Sequence, residues 1–260
     1  MDVLTPRSLD EALRLKAEVP DAVAIQGGTD VMVDLNFDRV RPTALLNLNE
    51  VQELRGWTRT NGQMWLGAGL TYAEAMRRPL AELLPALAEA ARTVGGPQIR
   101  NRGTIGGNLG TASPAGDALP PLLVSSTEVK LGSVRGERVL PLPEFLTGPK
   151  RNALAPDELI LGVSVDAGGG PQTFLKVGPR NAMVIAVVSL AVRVDGELLA
   201  AFGSAGPVAS LVRAPLDEAE SFADQVAEAA SPIDDVRGTA AYRRHALRVL
   251  TRRALERCLA

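Results

Sequence analysis

Residues 100–117, RNRGTIGGNLGTASPAGD, place Gly103, Gly106, Gly107, Gly110 and Gly116 among small hydroxyl side chains. Glycine is costly inside a helix or a central strand, so this run predicts an irregular backbone used for its own polar groups. Bare N–H groups in a glycine-rich turn form a concave nest that suits phosphate oxygens. Thr104, Thr111 and Ser113 can add hydroxyl donors. A second, shorter loop, Gln26-Gly27-Gly28-Thr29-Asp30, lies upstream. Two such cradles in one chain predict one dinucleotide with its pyrophosphate held between them.

Other chemistries have few residues to work with. The single cysteine, Cys258, excludes a disulfide framework, an iron–sulfur cluster or a thiolate zinc site held by this chain alone. The single histidine, His245, sits in an arginine-rich helical stretch and reads as an exposed surface residue. A Ser-His-Asp triad and a His-rich metal site therefore find no support. The net charge of −2 gives no basic excess for nucleic acid or an anionic membrane, and 3% aromatic content provides no stacking platform. Gly67-Ala68-Gly69-Leu70-Thr71-Tyr72 begins like a Rossmann fingerprint but ends in tyrosine, and no Walker lysine motif occurs. The first residues show no signal-peptide pattern, and no apolar run reaches the ~18 residues of a membrane span. A cytoplasmic location is the simplest expectation.

These loops need elements to position them. The spacing Ser8-Leu9-Asp10-Glu11 predicts a capped helix to about residue 16, followed by strands at 23–26 and 45–48. A strand at 64–67 and a helix capped by Thr71 follow. Residues 85–93 form a firmer helix, with Leu87, Ala88 and Ala91 on one face. Strands are expected at 128–131 and 158–165. Gly168-Gly169-Gly170-Pro171 is the best linker. Beyond it, 172–177 and 198–202 read as strands, and 183–194 is a long apolar run. Asp195-Gly196 is a hairpin turn. Helices at about 216–229 and 240–259 complete a small antiparallel sheet backed by helices. The basic residues of 243–257 read as one solvated helix face.

The block RNRGTIGGNLGTASPAGDALPPLL resembles the flavin-binding signature of the molybdenum hydroxylase family, which includes xanthine dehydrogenase, aldehyde oxidoreductase and aerobic carbon monoxide dehydrogenase. GGTDVMVDL, PDELILGVSV, FLKVGPRNAMVIAVVSLAV and DDVRGTAAYRRHALRVLTRRALE match the separate FAD-binding medium subunit in order and spacing. The resemblance implies an α+β, PCMH-type (vanillyl-alcohol-oxidase-like) fold. It implies an FAD-binding domain at 1–168, with subdomains at about 1–55 and 56–168, and a C-terminal domain of antiparallel sheet and helices at 171–260. It also implies non-covalent FAD, with molybdopterin cytosine dinucleotide on a large partner and two two-iron two-sulfur clusters on a small one. Electrons would cross the clusters to FAD and leave to an external acceptor. No catalytic or metal-ligating residue is implied for this chain.

By the same resemblance, Ala24, Ile25, Gln26, Gly27, Gly28, Thr29, Asp30 and Val31 wrap the pyrophosphate. Gln26 stands where the family usually has a small residue. Thr104, Ile105, Gly106, Gly107, Asn108 and Thr111 form the other cradle. Asp117 matches an acid near the adenosine end, or else caps the helix that follows it. Val94 and Gly95 line the cofactor, Ile160 packs near adenine, and Lys176 lies near the flavin ring. Val184-Ile185-Ala186 lacks the aspartate common at its first position, and Ile185 stands where an aromatic can shield the flavin. A self-sufficient flavin oxidoreductase on the same fold, or a non-enzymatic assembly subunit, are the competing readings.

Overall fold

A computed structural model of the protein describes residues 1–166 and 169–260. Strands β1 (Asp2–Leu4), β2 (Val23–Ile25) and β3 (Ala44–Asn47) form a parallel sheet in the order β1-β3-β2. Parallel neighbours need crossovers, and α1 (Leu9–Glu18) and α2 (Val31–Asn36) lie within them. Ser8 caps α1, its hydroxyl accepting from the Glu11 N–H at 3.2 Å. Glu11 does not return the bond to Ser8; its carboxylate accepts from the Arg7 N–H at 2.8 Å.

The middle of the chain builds an antiparallel sheet from β4 (Trp57–Thr60), β5 (Gln63–Gly67), β6 (Glu128–Ser133), β7 (Gly136–Pro141) and, after a short hairpin of β8 (Leu146–Gly148) and β9 (Arg151–Asn152), β10 (Leu159–Asp166). The strand order is β4-β5-β10-β6-β7. Helices α3 (Tyr72–Ala75), α4 (Leu80–Leu83), α5 (Pro85–Thr93), α6 (Pro97–Arg102), α7 (Ile105–Thr111) and α8 (Leu119–Val124) fill the connection from β5 to β6, and α9 (Leu142–Phe145) follows β7. The central strand β10 serves two cores, because its side chains alternate and a bulge between Ile160 and Gly162 reverses the phase. Ile160, Val163 and Val165 enter the large core with α5, α7 and α8, while Leu159 and Leu161 pack with the first sheet and α1. Every residue of α8 is buried, as expected for a helix apolar all round.

The last strands, β11 (Gln172–Val177), β12 (Val188–Val194), β13 (Leu198–Gly203) and β14 (Ser210–Ala214), form an antiparallel sheet in sequence order. Both its faces are covered. Val188, Leu190, Val192, Ala200 and Phe202 pack on α10 (Ala219–Ala229) and α11 (Ala240–Leu259), while Phe174, Ala191, Leu199 and Ala201 join the large core. Burying such a side chain contributes about 1.5–3 kcal/mol. The Asp195-Gly196 turn has Gly196 at φ 68°. The expected linker begins at Gly168, which lies outside the described residues; Gly169-Gly170-Pro171 leads directly into β11. Polar contacts fasten the last sheet to what precedes it. The Glu89 carboxylate on α5 accepts from Thr173 Oγ1 at 2.9 Å and the Phe174 N–H at 2.6 Å. Arg193 is buried and pairs with Asp166 at 3.0 Å and with Asp195.

Three expectations need correction. Residues 105–111 are helical despite their glycines. The apolar run 183–194 becomes a strand only from Val188, and Met183 and Ile185 are exposed. The basic stretch of α11 is not one solvated face: Arg243 is buried, pairs with Asp235 at 2.5 Å and donates to the Ser204 carbonyl. His245 is exposed. Among the described residues, no helix is long and apolar enough to cross a membrane.

Candidate functional site

The two glycine segments meet at the seam between the first sheet and the helices that connect β5 to β6. Gly27 lies against the backbone of Arg102, where a Cβ would come within 2.1 Å of the carbonyl oxygen. Gly106 lies against Ala68, where a Cβ would meet that residue's Cβ at 2.6 Å. No side chain fits at either position, so these glycines are spent on close packing. Gly67 and Gly69 also pack, against the Leu54 carbonyl, which disposes of the Rossmann-like pattern.

The helix α7 forms because its N–H groups find partners. Those of Ile105 and Gly106 donate to Leu70 and Ala68 at 2.9 and 2.8 Å. Thr104 caps the helix, its hydroxyl accepting from the Gly107 N–H at 3.0 Å, and the Asn108 N–H donates to the Thr104 carbonyl. The second segment therefore does not offer the nest of bare N–H groups that its composition predicts. The first does. The N–H groups of Gly28, Thr29 and Asp30 donate to no acceptor among the described residues.

What α7 offers instead is an open face. Thr104, Gly107, Asn108 and Thr111 fall at i, i+3, i+4 and i+7 and share one side of the helix. Thr111 Oγ1 donates to Asp30 Oδ2 at 2.7 Å, which turns that side toward the first loop. Gly107 is exposed there, and a Cβ on it would meet only Thr104 Oγ1, at 3.1 Å. Its helical backbone gives it no need of a left-handed conformation. A bare, exposed glycine on a helix tied by Thr111 to the loop with the unpaired N–H groups leaves room for an anion.

Of the other residues in the first segment, Ala24 and Ile25 end β2, Gln26 leads into the loop, and Val31 begins α2. Ile105 is buried in the core, and Ile160 is buried on β10, its Cδ1 3.8 Å from where a Cβ on Gly110 would stand. Val94 and Gly95 follow α5, and both carbonyls accept from Arg100 Nη1, at 3.1 and 2.7 Å. The turn through 180–183 lies beside them, with Met183 Sδ 3.6 Å from the Cβ position of Gly96.

Asp117 and Lys176 come together. Lys176 Nζ donates to Asp117 Oδ2 at 2.6 Å, with side-chain exposures of only 6% and 9%. The two residues expected at separate parts of the cofactor thus lie side by side. Asp117 does not cap α8: Ala118 holds that position and no side-chain bond is made. Burial raises the Asp117 carboxyl above the ordinary range, while the Lys176 ammonium pulls it down. Burial likewise raises the Tyr72 phenol, and the charges of Asp117 and Asp30 add to this. Asp117 Oδ1, Asn108 Oδ1 and Gln26 Nε2 are buried without a hydrogen-bond partner among the described residues. The Tyr72 hydroxyl interacts with Asn108 and the Thr93 hydroxyl with Asp117, and buried polar groups of this kind suit the hydroxyl groups of a sugar or ribityl chain, both of which a dinucleotide such as FAD carries.

Reading the sequence missed Arg102 and Asn49. Arg102 Nη2 donates to the Gln26 carbonyl and to Asn49 Oδ1, both at 3.0 Å. The partners are 76 and 53 residues apart in the chain, so no local pattern announces them.

A family model described as the FAD binding domain in molybdopterin dehydrogenase matches residues 1–166. The nicotinate dehydrogenase FAD-subunit of Eubacterium barkeri is 35% identical over 205 residues, covering 75% of this chain and 69% of that protein. The xanthine dehydrogenase FAD-binding subunit of Escherichia coli O157:H7 is 29% identical over 278 residues, covering 97% and 94%. The solved structure of quinoline 2-oxidoreductase from Pseudomonas putida 86 shares the fold, with a TM-score of 0.92 at 24% identity over 99% of this chain and 96% of that one. With its paired glycine segments and this match over most of its length, the chain belongs to the FAD-binding domain family of the molybdopterin dehydrogenases and is an FAD-binding oxidoreductase subunit.

Proposed function

We propose that this chain binds one FAD between the 26–31 loop and the open face of α7, and relays electrons from an iron–sulfur partner to an external acceptor. The observations that carry the reading are the unpaired N–H row of Gly28, Thr29 and Asp30 and the bare Gly107 on the helix that the Thr111–Asp30 bond ties to that loop. Thr104, Asn108 and Thr111 border this gap, and Ile160 packs beneath the helix at Gly110. The Asp117–Lys176 pair, with Val94 and Gly95 near it, forms the other end of the site. Bound FAD supplies the redox chemistry, while the protein supplies position and electrostatics. Asn108 and Asp117 each offer a buried oxygen to cofactor hydroxyls, and Lys176 keeps the Asp117 carboxylate partly compensated where water is excluded.

The architecture supports a PCMH-type fold. On that reading 1–55 and 56–168 are the two subdomains that flank the cofactor, and 171–260 is the domain that closes the site. Covalent attachment has no candidate. His245 and Cys258 lie on α11, and the Cys258 thiol is buried, with its pKa pushed up to about 11. The molybdenum cofactor and the two-iron two-sulfur clusters belong to a large and a small partner subunit, in a cytoplasmic complex.

Affinity purification of the tagged chain from its native cells, with metal and flavin analysis, tests this reading. Molybdenum, iron and FAD should co-purify, and the chain stripped of partners should be bleached by dithionite but not by xanthine, aldehydes or N-heterocycles. Substrate-driven bleaching of the isolated chain would contradict the subunit reading and favour a self-sufficient oxidoreductase.

A further inference from the structure

We infer that Arg102 is a positioning residue for the cofactor: its guanidinium straps the first loop and the turn after β3 to the segment entering α7, and so fixes the width of the gap between the two glycine segments. This inference rests on the FAD reading above. The same nitrogen of Arg102 reaches two acceptors on different elements, the Gln26 carbonyl just before Gly27-Gly28 and the Asn49 side-chain oxygen, each at 3.0 Å. Its own carbonyl is the atom against which Gly27 packs. Arg102 thus grips the loop from both its side chain and its backbone.

The second acceptor is held ready. Asn49 Nδ2 donates to Asn47 Oδ1 at 2.6 Å, which settles the amide orientation and leaves Oδ1 for Arg102. The Asn49 carbonyl accepts from Arg55 Nη2 at 2.6 Å, so the residue is held from three sides. Arg102 itself is exposed, and the two acceptors it holds are a carbonyl and an amide oxygen, not a carboxylate. Lysine does not reproduce the strap, because its side chain is one bond shorter than the path to Nη2 and its ammonium falls short of the two acceptors that this nitrogen holds at 3.0 Å.

The test is FAD affinity of the full-length apo chain, measured by flavin fluorescence, with circular dichroism on every variant. Arg102→Met should weaken binding by about tenfold or more, the loss expected when hydrogen bonds to a charged group are removed. Arg102→Lys, which keeps the charge, should weaken it nearly as much, and so should Asn49→Ala, which keeps the arginine. Asn49→Asp keeps an acceptor for Arg102 but loses the bond to Asn47 Oδ1, so it should bind FAD more tightly than Asn49→Ala without reaching wild-type affinity. If Arg102→Met does not fold, the Asn49 pair carries the test. Wild-type affinity in both Arg102→Lys and Asn49→Ala would overturn the strap and leave only a charge effect. Failure of the unmodified chain to bind FAD would instead overturn the cofactor reading.

Discussion

Gly107→Val separates a glycine kept for a ligand from one kept for packing. Gly107 is helical and exposed, and a Cβ there meets only the Thr104 hydroxyl at 3.1 Å. Valine is a better helix former than glycine by a few tenths of a kcal/mol, which roughly offsets that tight contact. The apo fold should therefore change by less than about 1 kcal/mol, or roughly 2–4 °C in Tm. On the proposed placement, however, the side chain would enter the space that the cofactor takes between α7 and the loop of Gly28, Thr29 and Asp30. Displacing one charge-assisted hydrogen bond costs about 1.5–3 kcal/mol, so FAD affinity should fall by about ten- to a hundredfold. Gly106→Ala should do the reverse of sparing the fold. Its Cβ would stand 2.6 Å from that of Ala68, an overpacking of about 1–3 kcal/mol that lowers the apo Tm. Fluorescence titration and thermal melts of both variants give the four numbers needed. A folded Gly107→Val protein with wild-type FAD affinity would refute the placement of the cofactor on α7.

Removing Lys176 strands a buried carboxylate: Lys176→Met should cost roughly 3–5 kcal/mol in chemical denaturation, and adding Asp117→Asn should recover most of it. An acid whose folded pKa is raised stabilises the fold only while protonated. The Lys176→Met deficit should therefore shrink as pH falls toward the ordinary aspartate value, and a pH-independent deficit would contradict the buried-charge account. Asp235 has the opposite sign. Burial alone would raise its carboxyl, but hydrogen bonds from the Arg237 N–H and from the Arg237 and Arg243 side chains hold it well below the usual range. Its stabilisation is complete above about pH 4 and is lost on acidification, so Asp235→Asn should lower Tm at pH 7 and flatten the acid limb below it; parallel acid limbs in both proteins would remove Asp235 from the account.

Elements whose signals are local were legible in the sequence. The helix Pro85–Thr93 follows from proline at its first turn and one apolar face, and Thr71 caps α3 as expected, with a reciprocal Glu74 bond added. The edge strands Trp57–Thr60 and Gly136–Pro141 went unread, because their polar, half-exposed sequences WTRT and GERVLP carry no apolar alternation. The helix Ile105–Thr111 was hidden for another reason. Its propensity is poor, and Thr104 together with the Leu70 and Ala68 carbonyls satisfies its first N–H groups from outside the segment. That tertiary contact also moved the free N–H groups to the first loop. The site residues were found largely through glycine spacing and family likeness. The pairing of Asp117 with Lys176, 59 residues apart, and the Arg102 strap depend on how three sheets pack, which no single segment encodes.

The central claim, that this chain alone holds one FAD without a covalent bond, is tested most directly by flavin analysis of the purified protein. The chain incubated with FAD and passed over a desalting column should retain one FAD per chain. Acid precipitation should then release all of it, as FAD and not FMN, into the supernatant. A folded chain that retains no flavin, or flavin that stays with the precipitate, would contradict the account.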